Sequence, residues 1–215
     1  IFLCITLISA FMSGIKLRYF LFAGTFAALM APIAWNFVLA DYQKQRILSQ
    51  MNPEADPLNM GYQQIQGKIS IGSGGIFGTG LFKGPRVANN VVPIQESDFI
   101  FSVAGEELGF VGCILILLLL LGIIIRVGQI AKKSNDLNGS LICFGFIGVV
   151  ASQTIFNLGM CLSLLPVMGV TLPFFSVGGS SAACLYLATG ILQSIYLHRD
   201  ETKKVMSAEP EEVEQ

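Results

Sequence analysis

Apolar residues fall in long blocks along this chain, separated by short basic stretches and one long polar, glycine-rich segment. Tyr19–Ala40 and Leu108–Ile125 contain no charged residue, and no Asp, Glu, Lys or Arg occurs from Leu137 to Leu197. One bilayer crossing takes ~20 apolar residues, so the last run is long enough for two crossings and a connection. The apolar stretch Ile1–Ile15 begins abruptly, with no Met, basic n-region or cleavage site. It does not fit a signal peptide and is expected to be the remnant of a span in a fragment lacking its natural N-terminus. The pattern predicts five spans: 1–14 (truncated), 19–40, 98–125, 139–165 and 173–197. The expected fold is all-α, a polytopic transmembrane helical bundle making one membrane domain. Two spans occupy 1–40, a long loop fills 41–97, three spans occupy 98–197, and a tail follows over 198–215. The Glu-rich part of that tail, 200–215, is expected to be disordered.

Composition supports this reading: 53% of the residues are hydrophobic and 13% charged, about half the charged fraction of a soluble domain. The net charge of −1 gives no basis for a nucleic-acid partner, but the placement of the charges is informative. Lys16 and Arg18, then Arg126, Lys132 and Lys133, then Arg199, Lys203 and Lys204 mark alternate connections. The positive-inside rule puts these in the cytoplasm, along with the C-terminus, and puts loop 41–97 outside. Cys4, Cys113, Cys143, Cys161 and Cys184 all fall in apolar spans without metal-ligand spacing and are read as small apolar packers. His198 is read as a headgroup contact.

The loop 41–97 is longer than a simple connection, and its apolar anchors argue for order. Tyr42–Met51 and Gly61–Ile71 are predicted as two short helices lying at the membrane interface. Ile71–Gly80 is glycine-rich but fits neither the Walker nor the dinucleotide pattern. It reads either as tight turns that let backbone pack closely or as an anion nest beside Lys68, Lys83 or Arg86, able to hold a pyrophosphate. Asp98 enters the third span at the membrane surface, and Glu106 lies eight residues deeper, ~12 Å along a helix. A carboxylate in hydrocarbon costs at least ~2.5 kcal/mol unless it meets a cavity or a partner. Asp98 could sit at the mouth of a water-filled cavity or could merely cap the helix. Glu106 and Glu107 could line that cavity or pair with bases elsewhere in the protein. In Leu165–Ser181, two prolines break the helix. The small pairs Gly178/Ala182 and Gly179/Ala183 suit close helix contact, and the irregular backbone could instead line a cavity.

Taken in order, Tyr42-Gln43-Lys44-Gln45-Arg46-Ile47, Pro53–Pro57, Gly61-Tyr62-Gln63, Ile71–Gly75, Ser97–Phe101, Glu106–Gly109 and Leu165–Ser180 resemble the SEDS family (shape, elongation, division and sporulation), whose members include RodA, FtsW and SpoVE. The Asp56-Pro57 turn is more similar to the elongation branch. The resemblance implies the C-terminal half of a ten-span fold in the bacterial cytoplasmic membrane. It also implies a peptidoglycan glycosyltransferase that polymerises lipid II into β-1,4 glycan strands for elongation or division. Its essential acid falls on Asp98, the expected general base. Lys68, Ser73, Lys83, Arg86, Glu96, Ser97, Glu106, Glu107, Ser176, Gly178, Gly179 and Ser180 are the expected substrate contacts. A divalent cation (Mg or Mn) or Lys/Arg would neutralise the leaving pyrophosphate; no metal ligand is assignable in this chain. The implied partners are a class B penicillin-binding protein and other elongasome or divisome membrane proteins. Ile94, Glu96, Asn90, Thr79 and Val177 depart from residues common in the family, so the ligand contacts are less fixed than the reaction. A lipid II flippase or transporter, or a non-catalytic scaffold, remains an alternative.

Overall fold

In the computed structural model the described residues are 6, 10, 15–40, 44, 60–93, 95–134 and 136–208, with side chains described up to 198 apart from those of residues 34 and 60. The expected spans and helices at 1–14 and 42–51 lie almost wholly outside these residues. All regular structure among them is helical. In chain order the helices are α1 (Leu17–Ile33), α2 (Met60–Ser73), α3 (Pro85–Ala88), α4 (Ile100–Lys133), α5 (Leu137–Cys161) and α6 (Gly179–Ala208). The stretches Ile100–Lys133, Leu137–Cys161 and Gly179–His198 are long and apolar enough to cross a bilayer. The protein is a helical membrane bundle.

α1 runs into a π turn, Ala34–Val38, just after Pro32. Pro32 has no N–H for the helical ladder, and its carbonyl accepts from the Asn36 side-chain amide at 2.8 Å. No residue of α1 is buried, so this helix leaves its apolar surface to lipid or to other protein.

The core lies along the seam between α4 and α5. Cys113, Ile116, Leu120, Val127 and Ala131 recur at steps of three, four and seven and are buried on α4. Gly139, Cys143, Phe146, Val150, Asn157 and Cys161 form the matching stripe on α5. This is the helical period that keeps one face against a neighbour. Leu185 and Leu192 of α6 close the cluster, while Phe110, Leu115, Leu118 and Leu119 remain more than half exposed, as side chains facing lipid do. Asp136 caps α5, its carboxylate accepting from the amides of Asn138 and Gly139 at 3.2 Å each.

Several boundaries differ from the sequence expectation. α4 continues through Lys132 and Lys133 rather than ending near residue 125. α5 stops at Cys161, where Leu164 and Leu165 both turn back to the Gly159 carbonyl, short of the expected 165. The last helix starts at Gly179 rather than 173, because the segment that follows Pro173 is bonded to the turn at residues 96–97. Helix also persists from residue 200 to Ala208, where disorder was expected.

α2 runs alongside the first turns of α4. A Cβ on Gly67 would meet Phe99 Cδ1 and Ser102 Oγ at 3.0 Å, and one on Gly105 would meet Ile71 Cα at the same distance. Gln64 and Ser70 are buried, and Gln64 Nε2 donates to the Leu165 carbonyl at 2.7 Å. The physical reason is close approach: glycines on both helices let the backbones touch.

At the end of α2 the glycine-rich hairpin meets a break in α4. Gly109 has φ 69° and ψ −167°, a conformation open to glycine and strained for other residues. The break removes the helical bonds from Phe110 and Val111 to the carbonyls of Glu106 and Glu107. Those carbonyls accept instead from Thr79 N at 2.9 Å and Gly80 N at 3.0 Å. Phe110 N and Val111 N donate in turn to Gly75 O at 2.9 Å and Ile76 O at 3.1 Å. The hairpin thus replaces what the helix loses, which is the condition for irregular backbone at membrane depth. The Thr79 and Gly80 amides are spent on carbonyls, and Gly78 N is spent on Gly74 O at 2.8 Å. That occupies the donors an anion nest would have used and favours the turn reading.

A Cβ on Gly74 would run into the carbonyl oxygen of Gly105, whereas one on Gly72 meets nothing within 4 Å. Gly74→Ala should therefore destabilise the detergent-solubilised full-length protein by about 1–3 kcal/mol through overpacking. Gly72→Ala should be neutral or stabilising by up to ~1 kcal/mol. Equal melting temperatures for Gly74→Ala and the unsubstituted protein would contradict this packing.

Candidate functional site

Asp98 sits in the turn that leads into α4 and is half-buried. The residue at the N-cap position is Phe99, and no side chain caps the helix there. The capping role considered for Asp98 is therefore not the one it takes. Its Oδ1 accepts from Ser97 Oγ at 2.8 Å.

The irregular segment between α5 and α6 wraps this turn. Ser176 Oγ donates to the Ser97 carbonyl at 2.6 Å and accepts from Leu172 N at 2.7 Å. Val177 N donates to the Glu96 carbonyl at 2.9 Å. Gly169, at φ +63°, faces the carboxylate, and a Cβ there would lie 3.5 Å from Asp98 Oδ2. These contacts show why Pro173 could not begin a helix: residues 169–177 are shaped around 96–98. A cavity of about 310 Å³ adjoins the turn, lined by Asn90, Pro93, Gln95, Glu96, Ser97 and Val177 among others.

Of the expected contacts, Glu96, Ser97 and Ser176 are gathered with Asp98. Gly178 lies just beyond, its carbonyl accepting from Ala182 N at 2.8 Å. Gly179 and Ser180 open α6 and are exposed. A Cβ on Gly179 would meet nothing within 4 Å, so the small-residue pair Gly179/Ala183 makes no close helix contact among the described residues. Lys68, Ser73 and Lys83 are exposed and do not line the cavity at residues 90–97. Ser73 Oγ instead donates back to the Ser70 carbonyl at 2.7 Å.

Glu106 and Arg86 form a second, separate cluster. Glu106 is fully buried, and its Oε1 accepts from the backbone amides of Arg86 at 2.8 Å and Val87 at 3.4 Å. This carboxylate serves the first turn of α3 rather than lining a water-filled cavity. The Arg86 side chain reaches the other way, donating from Nε to Ser70 Oγ at 3.0 Å and from Nη2 to Gln66 Oε1. Glu107 is 5% exposed and packs beside Gly84.

The sequence reading missed Asn157. It is completely buried and donates both amide hydrogens to backbone carbonyls, Asp98 O at 2.8 Å and Val170 O at 2.7 Å. Its signal was available: an amide within an apolar run needs partners, since leaving one unpaired costs about 1–3 kcal/mol. Gln95 is similar, donating to Val87 O at 3.0 Å and Asn90 Oδ1 at 2.8 Å. Among the described residues no group of three or more His, Cys, Asp and Glu converges on a point. These side chains do not form a cage for the expected divalent cation, and no chemical step is assigned to one.

A family model described as cell cycle protein, covering FtsW, RodA and SpoVE, matches residues 1–201. The chain is 39% identical over 194 residues to the peptidoglycan glycosyltransferase MrdB of Escherichia coli (strain K12), which covers 90% of this chain and 52% of that protein. It is 39% identical over 192 residues to the stage V sporulation protein E of Bacillus subtilis (strain 168), covering 89% and 51%. To the probable peptidoglycan glycosyltransferase FtsW of Geobacter metallireducens it is 36% identical, covering 89% and 50%. The chain spans about half the length of these curated relatives. A solved structure described as "Structural coordination of polymerization and crosslinking by a peptidoglycan synthase complex" superposes with a TM-score of 0.76 at 31% identity, over 92% of this chain and 54% of that one.

Replacing Glu106 tests the second cluster. Glu106→Ala leaves the Arg86 and Val87 amides without their acceptor and should cost about 1–3 kcal/mol, with faster hydrogen exchange at those two amides. Glu106→Gln keeps a carbonyl oxygen in place and should preserve most of the protection. Unchanged exchange in Glu106→Ala would show that this carboxylate does not hold α3.

Proposed function

The chain belongs to the FtsW, RodA and SpoVE family of cell cycle proteins, and from that premise we propose that it carries the catalytic acid of a peptidoglycan glycosyltransferase. The substrate is lipid II, a disaccharide–peptide joined through pyrophosphate to a polyprenyl chain, and the product is a β-1,4-linked glycan strand for elongation or division. The protein lies in the bacterial cytoplasmic membrane with its basic connections and C-terminus inside. Asp98 and the loop before it are then outside, where lipid-linked sugars are joined.

The observation that carries the reading is the state of Asp98. Its carboxylate is not used as a helix cap, accepts from the Ser97 hydroxyl and faces Gly169, on a turn whose Glu96 and Ser97 line the cavity while Asp98 itself does not. On the proposed topology it lies on the outer side, where a lipid-tethered sugar presents its hydroxyl. Asp98 acts as general base, taking the proton of the acceptor 4-hydroxyl as that oxygen bonds to C1 of the donor sugar. The bond from C1 to the pyrophosphate oxygen breaks, the polyprenyl pyrophosphate leaves with the electron pair, and the configuration at C1 inverts. A base works here only within hydrogen-bond reach of the hydroxyl, so the carboxylate must be held still. The leaving group needs positive charge; Lys68 and Lys83, exposed on the segment before Asp98, are candidates for it although they do not line the cavity at residues 90–97. The partner is a class B penicillin-binding protein, which cross-links the strands. The likeness to a chain of a peptidoglycan synthase complex that coordinates polymerization and crosslinking supports that pairing.

Reconstituted full-length protein with its transpeptidase partner should convert lipid II to glycan strands. Asp98→Asn should lower the rate by roughly 10²–10⁴-fold while leaving complex assembly and melting temperature unchanged. Movement of labelled lipid II across the bilayer without strands, unaffected by Asp98→Asn, would overturn the assignment in favour of a flippase.

A further inference from the structure

Asn157 takes no part in the bond making and breaking of the transfer, yet it touches the acid's backbone. It lies in a run of 61 residues, 137–197, that carries no formal charge, and its side chain is completely buried. The two carbonyls it binds belong to different parts of the fold. Asp98 O is at the entrance to α4, and Val170 O is in the irregular segment before α6. Asn157 Oδ1 faces Cys161 Sγ at 3.9 Å. Val170 follows Gly169, the residue that stands opposite Asp98 Oδ2. One amide therefore fixes both sides of the space around the carboxylate: the backbone from which the acid hangs and the loop that faces it.

We infer that Asn157 is a positioning residue for the transfer step, clamping the Asp98 turn to the Gly169–Val170 loop so that the carboxylate meets the acceptor hydroxyl at the right distance. The inference rests on Asp98 being the base. A displacement of ~1 Å at a reacting group costs roughly 10²-fold in rate. Loosening this clamp should therefore act on turnover rather than on lipid II binding. An asparagine that served packing alone would change activity only as far as it changed the folded fraction.

The test measures strand formation by the full-length protein with its partner, as a function of lipid II concentration and pH, alongside the folded fraction of each variant under the same conditions. Asn157→Ala should lower kcat roughly 10–100-fold with KM within about twofold and the folded fraction unchanged. Asn157→Asp retains the shape, but when ionised it offers only acceptors to two carbonyl oxygens; protonated, it regains one O–H donor. Its rate relative to the unsubstituted protein should rise as pH falls, while that of Asn157→Ala stays flat. Asp98 and Cys161 are the titratable groups nearest the clamp; both are present in each variant, and the repulsion that an ionised Asn157→Asp carboxylate adds at Asp98 is relieved as that carboxylate is protonated. If Asn157→Ala does not fold, the acid recovery of Asn157→Asp at constant folded fraction decides the matter. Native kcat in Asn157→Ala, a loss fully matched by unfolding, or no acid recovery in Asn157→Asp overturns the inference. An unaffected Asp98→Asn protein would instead overturn the base assignment itself, which keeps the two failures apart.

Discussion

The described part of the molecule depends on an exchange of backbone hydrogen bonds at Gly109. A helix that breaks near a membrane leaves two carbonyls and two amides unpaired, and no water in the hydrocarbon core can satisfy them. The carbonyls of Glu106 and Glu107 are taken up by Thr79 and Gly80, and the amides of Phe110 and Val111 by Gly75 and Ile76. Each partner supplies the bonds that the other lacks. Glycines at 74, 78, 105 and 109 allow the approach, since side chains there would occupy the space of the opposing backbone.

This exchange fixes the upper part of α4, residues 100–108, against α2. It also sets the height of Asp98 and the depth of Glu106 as one unit. Glu106 then holds α3 through the Arg86 and Val87 amides, and Arg86 returns to α2 through Ser70 and Gln66. On the opposite side, Ser176 and Val177 close the turn at residues 96–97 from the α6 side. The acid is thus surrounded by three segments distant in sequence, each tied to it or to its neighbours through backbone groups. Such ties place a side chain without consuming it, and the Asp98 carboxylate is left facing Gly169.

The last three spans were legible because lipid excludes charge, so charge-free runs of sufficient length mark helices; the run at 19–40 gave the shorter helix Leu17–Ile33 and a π turn. Their ends were less so. Residues 162–177 are apolar enough to be helix, and Pro166, Pro173 and contacts to Gln64, Glu96, Ser97 and Asn157 make them a loop. α2 was found as a helix but its packing against α4 was not, because small and polar residues with sparse apolar anchors suit an interface and suit close packing against another glycine-bearing helix equally well. The glycine-rich stretch had the same ambiguity, since glycine amides can cradle an anion or replace a helical bond. Asp98 was legible through its motif. Asn157 was not, because the partners of a buried amide can lie anywhere in the fold, and sequence gives no distance to them.

Broken helices in membrane proteins often signal transport, and that reading has a structural requirement that bears on this chain. In a transporter the unwound backbone faces the ligand, so its carbonyls and amides stay available to ions and substrates. Here the polar groups at the Gly109 break are bonded within the protein. The fully buried Glu106 keeps one oxygen on two backbone amides, and its other oxygen has no partner among the described residues. The Asp98 carboxylate is instead half-buried on a turn braced from several sides. The break in α4 therefore closes its backbone bonds within the protein rather than opening them to a ligand, and it fixes the helix that the Asp98 turn leads into.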